Sequence, residues 1–320
     1  MLKIWTNHSF TSSDLEEFCQ NLSEYELFIF PPSENGTNGE AADALQTADV
    51  AFGTPDADAV LKAENIKWFQ VNLAGYTPYD RADLKENFKE KDRIFTNSSS
   101  VYVEPCAQHV LAMMMALARL LPVSLDNQRG EKDWKYDETR EKSYLLNEQT
   151  VLILGLGTIG KRLAELLTPL KMNLIGFKRT IYGDEPIKTV DENNLDEVFP
   201  LADHVINILP ANPQTENFLN AERFAKMKTG AIIYNIGRGT TLNQDDLLNA
   251  LNSKQISAAY LDVTVPEPLP KDHPLWTAPN CYITPHSAGG FSLEKKWHVR
   301  HFLENLRRFE DGEEMNDRIY

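Results

Sequence analysis

The stretch Val151 to Arg162, VLILGLGTIGKR, limits what this chain can fold into more than any other. Val151–Leu154 is a continuous apolar run, as expected of a strand buried on both faces of a parallel sheet. Gly155, Gly157 and Gly160 follow at G-x-G-x-x-G spacing, and helical periodicity begins at Lys161. The first glycine permits a tight turn, and the second lets the backbone approach a pyrophosphate. The third lets the helix pack on the strand, with its N-terminal N–H groups turned to the phosphates. Set between a strand and a helix, this spacing implies dinucleotide binding rather than an ordinary glycine turn.

A chain of 320 residues with 42% hydrophobic content can build one large domain or two ordinary ones. Its formal net charge of −15 argues against nucleic acid or an anionic membrane as a partner. Cys19, Cys106 and Cys281 stand alone, with neither a C-x-x-C pair nor a histidine at metal-ligand spacing, so no disulfide framework and no metal site is expected. MLKIWTNHSF lacks a signal-peptide core, and the apolar run Val110–Leu121 is short for a membrane span and contains Arg119. The expected setting is a reducing cytoplasm.

Residues 1 to 97 alternate between strand-like segments (Leu2–Thr6, Leu27–Phe30, Val50–Gly53, Lys67–Asn72, Ile94–Thr96) and helical ones (Ser13–Asn21, Ala41–Gln46, Ala57–Ala63, Tyr79–Glu86). Such alternation builds βαβ units and a parallel sheet. Pro31-Pro32 and the polar loop to Gly39 read as a surface excursion. Val101–Leu121 is helical and apolar nearly all round, which predicts burial in a core or a subunit interface. Met113–Met115 reads as packing filler and His109 as a packed histidine. The charged segment Asp126–Asn147 reads as a surface connection anchored by Trp134.

Six further strands follow: Val151–Leu154, Asn173–Phe177, His204–Leu209, Ala231–Asn235, Ser257–Asp262 and Cys281–Thr284. Helices are expected at Ile159–Leu167, Ala221–Lys226 and Asp245–Leu251. This pattern predicts a doubly wound parallel sheet. Phe291–Phe309 has the 3.6 period of an amphipathic helix with no further strand to follow. It is expected to return to the first domain. The predicted division is residues 1–99 with 289–320, and residues 100–288.

Three ionisable groups fall just past three strands of the second set. Arg238 lies in Asn235-Ile236-Gly237-Arg238-Gly239, Glu267 in Pro266-Glu267-Pro268-Leu269-Pro270, and His286 in Thr284-Pro285-His286-Ser287-Ala288-Gly289. Singly they read as a turn arginine, a solvated acid and a loop histidine. Together, at the carboxyl edge where a cofactor must lie, they form a candidate catalytic set.

These segments, with Gly155–Gly160, resemble the D-isomer-specific 2-hydroxyacid dehydrogenases, in the right order and over nearly the whole chain. Trp68–Gly75, Val101-Tyr102 and Asn207–Pro210 extend the resemblance. It implies an enzyme with a Rossmann cofactor domain and a discontinuous flavodoxin-like α/β substrate domain. By the same resemblance, Arg238 grips the substrate carboxylate and carbonyl, for which a guanidinium offers bidentate donors. His286 serves as acid–base group, and Glu267 orients its ring. Backbone N–H groups near Leu73, Ala74 and Gly75 complete the carboxylate site. The implied cofactor contacts are Gly155, Gly157, Thr158, Ile159, Gly160, Leu209, Pro210, Thr215, Ile236, Gly237, Arg238, Asp262, His286, Ala288 and Gly289, and Asp262 meets the nicotinamide carboxamide. A homodimer through the helix Val101–Leu121 is implied as well.

Asn173–Phe177 ends in Lys178-Arg179-Thr180, where NAD-specific sheets of this kind carry an acid. Two cations and a hydroxyl suit a 2′-phosphate, so NADP(H) is favoured over NAD(H). The substrate is expected to be a small 2-oxo or 2-hydroxy acid, with the glyoxylate/hydroxypyruvate reductase branch preferred. D-3-phosphoglycerate dehydrogenase is an alternative; Gly53-Thr54-Pro55-Asp56 has no arginine for a phosphate, and Tyr76-Thr77 departs from the family's usual Val-Asp. Formate chemistry is disfavoured by Glu267, since that branch usually pairs its histidine with glutamine. A dinucleotide-sensing co-repressor is the alternative of another class.

Overall fold

A computed structural model describes residues 1–32 and 37–320. The excursion expected between Pro31 and Gly39 therefore falls partly outside the described residues. In chain order the elements are β1 (Lys3–Thr6), α1 (Ser12–Asn21), β2 (Glu26–Ile29), α2 (Gly39–Thr47), β3 (Val50–Gly53), α3 (Ala57–Lys62), β4 (Trp68–Val71), α4 (Ala82–Glu90) and β5 (Ile94–Thr96). Next come α5 (Val103–Ala118), α6 (Leu121–Arg129), α7 (Tyr136–Lys142), β6 (Thr150–Leu154), α8 (Thr158–Leu167), β7 (Asn173–Phe177), β8 (Lys188–Val190) and α9 (Leu195–Val198). The chain finishes with β9 (His204–Asn207), α10 (Ala221–Lys226), β10 (Ala231–Asn235), α11 (Gln244–Asn252), β11 (Ile256–Leu261), β12 (Cys281–Ile283) and α12 (Glu294–Asp311).

The chain divides into two compact units, Met1–Tyr102 with Gly290–Tyr320, and Val103–Gly289. The first unit holds a five-stranded sheet in the order β2-β1-β3-β4-β5, parallel throughout. That 2-1-3-4-5 order is the flavodoxin-like one. Helix α12 belongs to this unit. Its Phe302 stacks on Phe52 at 4.5 Å and on Trp68 at 5.1 Å between ring centroids, in a cluster with Ile4, Phe18 and Val50. Burying one such side chain stabilises by about 1.5–3 kcal/mol, enough to recruit a helix far away in sequence. The C-terminal residues cover the free edge of β5: Ile319 N–H donates to Phe95 O and Phe95 N–H to Tyr320 O, both at 2.8 Å.

The second unit is a seven-stranded parallel sheet in the order β12-β11-β10-β9-β6-β7-β8. The order reverses at β6, between β9 and β7. Crevices for ligands form at such a switch point. One strand more than expected is present: β8 has only three residues, too few to show a period. The strand starting at His204 stops at Asn207 rather than Leu209, because the Asn207 side chain turns back to accept from Leu209 N–H. Helix α4 begins three residues later than expected, after a short turn containing Pro78.

The helical segment Ser99–Ala118, longer than the apolar run Val110–Leu121, has 20 residues and is apolar enough to pass for a membrane span by length and composition alone. However, α5 buries Cys106, Ala107, Val110, Met114, Leu117 and Ala118 within the unit, and Glu104 holds Arg162 of α8 at 2.6 Å. The surface connection contains α6 and α7. Trp134 anchors nothing: it is 89% exposed.

His204 on β9 is buried between Gln149 (Nε2 to Oε1, 2.6 Å) and Tyr234 (Nδ1 to OH, 3.1 Å). Desolvation pushes its pKa from the ordinary 6.5 down to about 4. The unfolded chain takes up this proton near pH 6.5 and the folded one only near 4. Stability from neutral His204 is therefore present above pH 6.5 and is lost as pH falls towards 4. Urea unfolding at pH 7, 6 and 5 is expected to show falling stability, with a shallower fall in His204→Gln. Equal slopes would contradict this.

Candidate active site

The carboxyl ends of the second unit's strands carry every candidate group of that unit. At the end of β6, N–H groups of Gly155 and Leu156 donate to Phe177 O at 3.2 and 3.0 Å, tying the glycine loop to β7. Gly160 cannot be replaced without displacement, since an added Cβ would lie 2.4 Å from Gly155 O. At Gly157 an added Cβ would meet nothing within 4 Å, and the ten-residue helix α8 has no side-chain cap. Open space beside the uncapped N–H groups of Thr158, Ile159 and Gly160 is what a pyrophosphate requires, so these residues fit a dinucleotide.

Past β7, Lys178 behaves differently from expectation. Its Nζ lies 3.6 Å from Glu185 and 4.5 Å from the centre of the Tyr182 ring. An acid thus does reach this strand end, across the Tyr182-Gly183 turn. The Glu185 carboxylate accepts the N–H groups of Tyr182 and Gly183, at 2.8 and 2.9 Å, and the first of these chiefly holds it below the usual carboxylate range. Arg179 and Thr180 remain exposed, and Arg179 has no ion pair among the described residues. Past β9, Leu209 is buried and Pro210 exposed. The Thr215 hydroxyl is already spent within that turn, donating to Pro210 O at 2.6 Å.

Past β10, buried Ile236 and Gly237 lead to Arg238, whose Nη1 donates to Gly237 O at 2.7 Å. One of five guanidinium donors is thereby used, and four remain. The next residue is glycine for a steric reason. A Cβ at Gly239 would sit 2.1 Å from Thr264 O, so this loop lies directly on the one bearing Glu267. Glu267 stands between two cis peptide bonds, Val265-Pro266 and Glu267-Pro268. Its Oε1 accepts Thr264 N–H at 3.1 Å, and its Oε2 lies 2.8 Å from His286 Nδ1. The His286 side chain is 52% exposed, and its backbone takes the left-handed conformation, φ +51°. A non-glycine residue held there is strained, as at many functional sites. A cavity of about 350 Å³ opens beside the pair, lined by Thr264, Leu269, Trp276 and Pro285 among others.

Asp262 is only 2% exposed, and its carboxylate holds the turn after β12. Oδ1 accepts Ser287 N–H at 2.9 Å and the Thr284 hydroxyl at 2.5 Å, while Oδ2 accepts Ala288 N–H at 2.9 Å. Sequence reasoning missed Thr284 and Thr264; the available cue was a hydroxyl residue two positions from each candidate or in the loop beside it. In the first unit, Leu73–Gly75 follow β4. Ser98 N–H and Asn97 Nδ2 hold the carbonyls of Leu73 and Ala74 at 3.0 and 2.8 Å, and the three N–H groups make no hydrogen bond among the described residues.

The fold and this edge of the sheet define a two-domain dinucleotide-dependent dehydrogenase. Residues 111–288, just over half of the chain, match the model of the D-isomer specific 2-hydroxyacid dehydrogenase NAD binding domain. A Corynebacterium melassecola protein described as "uncharacterized protein in proB 3'region" is 33% identical over 287 residues, 88% of this chain and 91% of that one. Human glyoxylate reductase/hydroxypyruvate reductase is 36% identical over 195 residues, 58% of this chain and 57% of its own length. A Xanthobacter autotrophicus D-isomer specific 2-hydroxyacid dehydrogenase, solved with NADPH and MES, is 25% identical with a TM-score of 0.81, covering 100% of this chain and 98% of that one. The chain belongs to the D-isomer specific 2-hydroxyacid dehydrogenase family, and is a nicotinamide-dinucleotide-dependent oxidoreductase.

Proposed function

We propose that this chain is an NADPH-preferring reductase of small 2-oxo acids such as glyoxylate or hydroxypyruvate. The observation that carries the reading is the 2.8 Å pair of His286 and Glu267 at the same sheet edge as Arg238 and the glycine loop. With Nδ1 engaged by the carboxylate, Nε2 is the ring nitrogen left to give a proton to a carbonyl oxygen, or to take it back in the reverse direction. Arg238 supplies charge-assisted donors to the substrate carboxylate. Bound nicotinamide would supply the hydride at the carbon beside that carboxylate. Glu267 in place of glutamine speaks against formate as substrate, and Thr54-Pro55 offers no cation for a phosphorylated one. Similarity to the human reductase favours the glyoxylate/hydroxypyruvate branch.

NADPH is preferred because Arg179 is exposed and uncommitted. Lys178 contributes less than its position promises, being already paired with Glu185. A second copy of the chain is expected to cover Leu121, Val123 and Leu125 of α6 and the neighbouring Trp134 and Tyr136, all about half exposed or more. That apolar surface lies mostly beyond α5, so the expected dimer contact shifts from Val101–Leu121 towards residues 121–136. The unpaired state of Cys19, Cys106 and Cys281 fits a reducing, cytoplasmic setting.

Absorbance assays over a panel of 2-oxo acids test the reading. His286→Ala should lower kcat by about 100-fold or more with NADPH affinity nearly unchanged; wild-type turnover in that variant would remove His286 from its role. For the wild type, kcat/KM with NADPH should exceed that with NADH, and Arg179→Ala should cut the NADPH value by about tenfold. A clear preference for NADH would refute the cofactor assignment. Sedimentation at micromolar concentration should show a dimer that Leu125→Asp disrupts, whereas a monomeric wild type would overturn the assembly.

A further inference from the structure

We propose that Tyr260 and Thr284 are positioning residues, and that a hydrogen-bonded chain His109–Tyr260–Thr284–Asp262 anchors the His286 turn to helix α5. The inference rests on the role given to His286 above. Its four members come from four places in the second unit: α5, β11, the residue after β12 and the residue after β11. The Tyr260 hydroxyl contacts His109 Nε2, lies 2.5 Å from Thr284 Oγ1, and Thr284 Oγ1 lies 2.5 Å from Asp262 Oδ1.

The direction of every bond follows from one end. An ionised carboxylate only accepts, so Thr284 donates to Asp262. The Thr284 oxygen must then accept from the Tyr260 hydroxyl, and the Tyr260 oxygen must accept from His109. His109 therefore carries its proton on Nε2. Burial raises the Tyr260 pKa above its ordinary value, which keeps the proton it donates in place. Bonds aligned head to tail in this way polarise one another and strengthen the last of them.

That last bond matters because Asp262 is the hub of the turn. Its backbone carbonyl accepts His286 N–H at 2.8 Å, and its carboxylate accepts Ser287 N–H and Ala288 N–H. A buried carboxylate needs full hydrogen bonding to stay where it is, and the Thr284 hydroxyl is the one side-chain donor it has among the described residues. Take that hydroxyl away and Asp262 is under-satisfied. The left-handed conformation of His286, costly for a histidine, then loses part of what imposes it. His109 on α5 and Tyr260 on β11 thus act on where the imidazole points.

The test compares Thr284→Val, which keeps the shape and removes the hydroxyl, with Thr284→Ser and Tyr260→Phe. Thr284→Val should lose roughly tenfold in kcat, a loss clearly larger than any accompanying loss of cofactor affinity. Tyr260→Phe should fall in the same direction, and Thr284→Ser should remain near wild type. The imidazole 1H–15N spectrum, with the His286 signals identified by their loss in His286→Ala, gives a readout independent of turnover. Those signals should shift or broaden in Thr284→Val and Tyr260→Phe and stay in place in Thr284→Ser. Unmoved signals with wild-type kcat in the first two variants would overturn the chain's role. So would a parallel fall of kcat and cofactor affinity, or a serine variant as defective as valine. If instead the wild type turns over no 2-oxo acid, the functional reading fails, and the spectra still decide the positioning.

Discussion

Parallel pairing of β6 with both β7 and β9 is the constraint from which the rest of this structure follows. Because all seven strands run one way, all seven carboxyl ends share one edge, and loops far apart in sequence meet there. The same pairing requires β6 to be apolar on both faces, which is why Val151–Leu154 has no polar residue. It also puts the reversal of strand order directly beside the glycine loop. Arg238, Glu267 and His286 need no special device to come near one another. Each only has to be among the first residues after its own strand.

Fine placement comes from buried polar atoms. Asp262 fixes the turn of His286, the contact of Gly239 with Thr264 fixes the loop of Arg238 against that of Glu267, and the Thr264 N–H holds one oxygen of Glu267. The histidine itself is half exposed, as the acid–base role proposed for it requires. Rigidity lies beneath it. A positioned group on a rigid base loses less freedom when it acts, and this is what pre-organisation contributes to a rate.

What could be read from the chain divides along the same line. The strands, the glycine loop and the three ionisable groups at strand ends are local patterns, set by periodicity and by position after an apolar run. The expectation for Lys178 set Glu185 aside as lying beyond the Tyr182-Gly183 turn, yet it is that turn, once formed, that brings the two together. Trp134 read as an anchor by its size, yet burial depends on what packs above it, and among the described residues it stays 89% exposed. The link of Tyr260 to His109 spans 151 positions, and no spacing rule reaches so far. Tertiary contacts between single polar atoms leave no periodic trace.

The central claim is that hydride passes between bound nicotinamide and the carbon beside a substrate carboxylate, with His286 handling the proton. The most direct test is transfer of deuterium from NADPH labelled at the nicotinamide C4 to glyoxylate or hydroxypyruvate, followed by NMR of the product. Deuterium at C2, in the D configuration for hydroxypyruvate and absent with His286→Ala, is the predicted result. Product with no deuterium, or of L configuration, would contradict it.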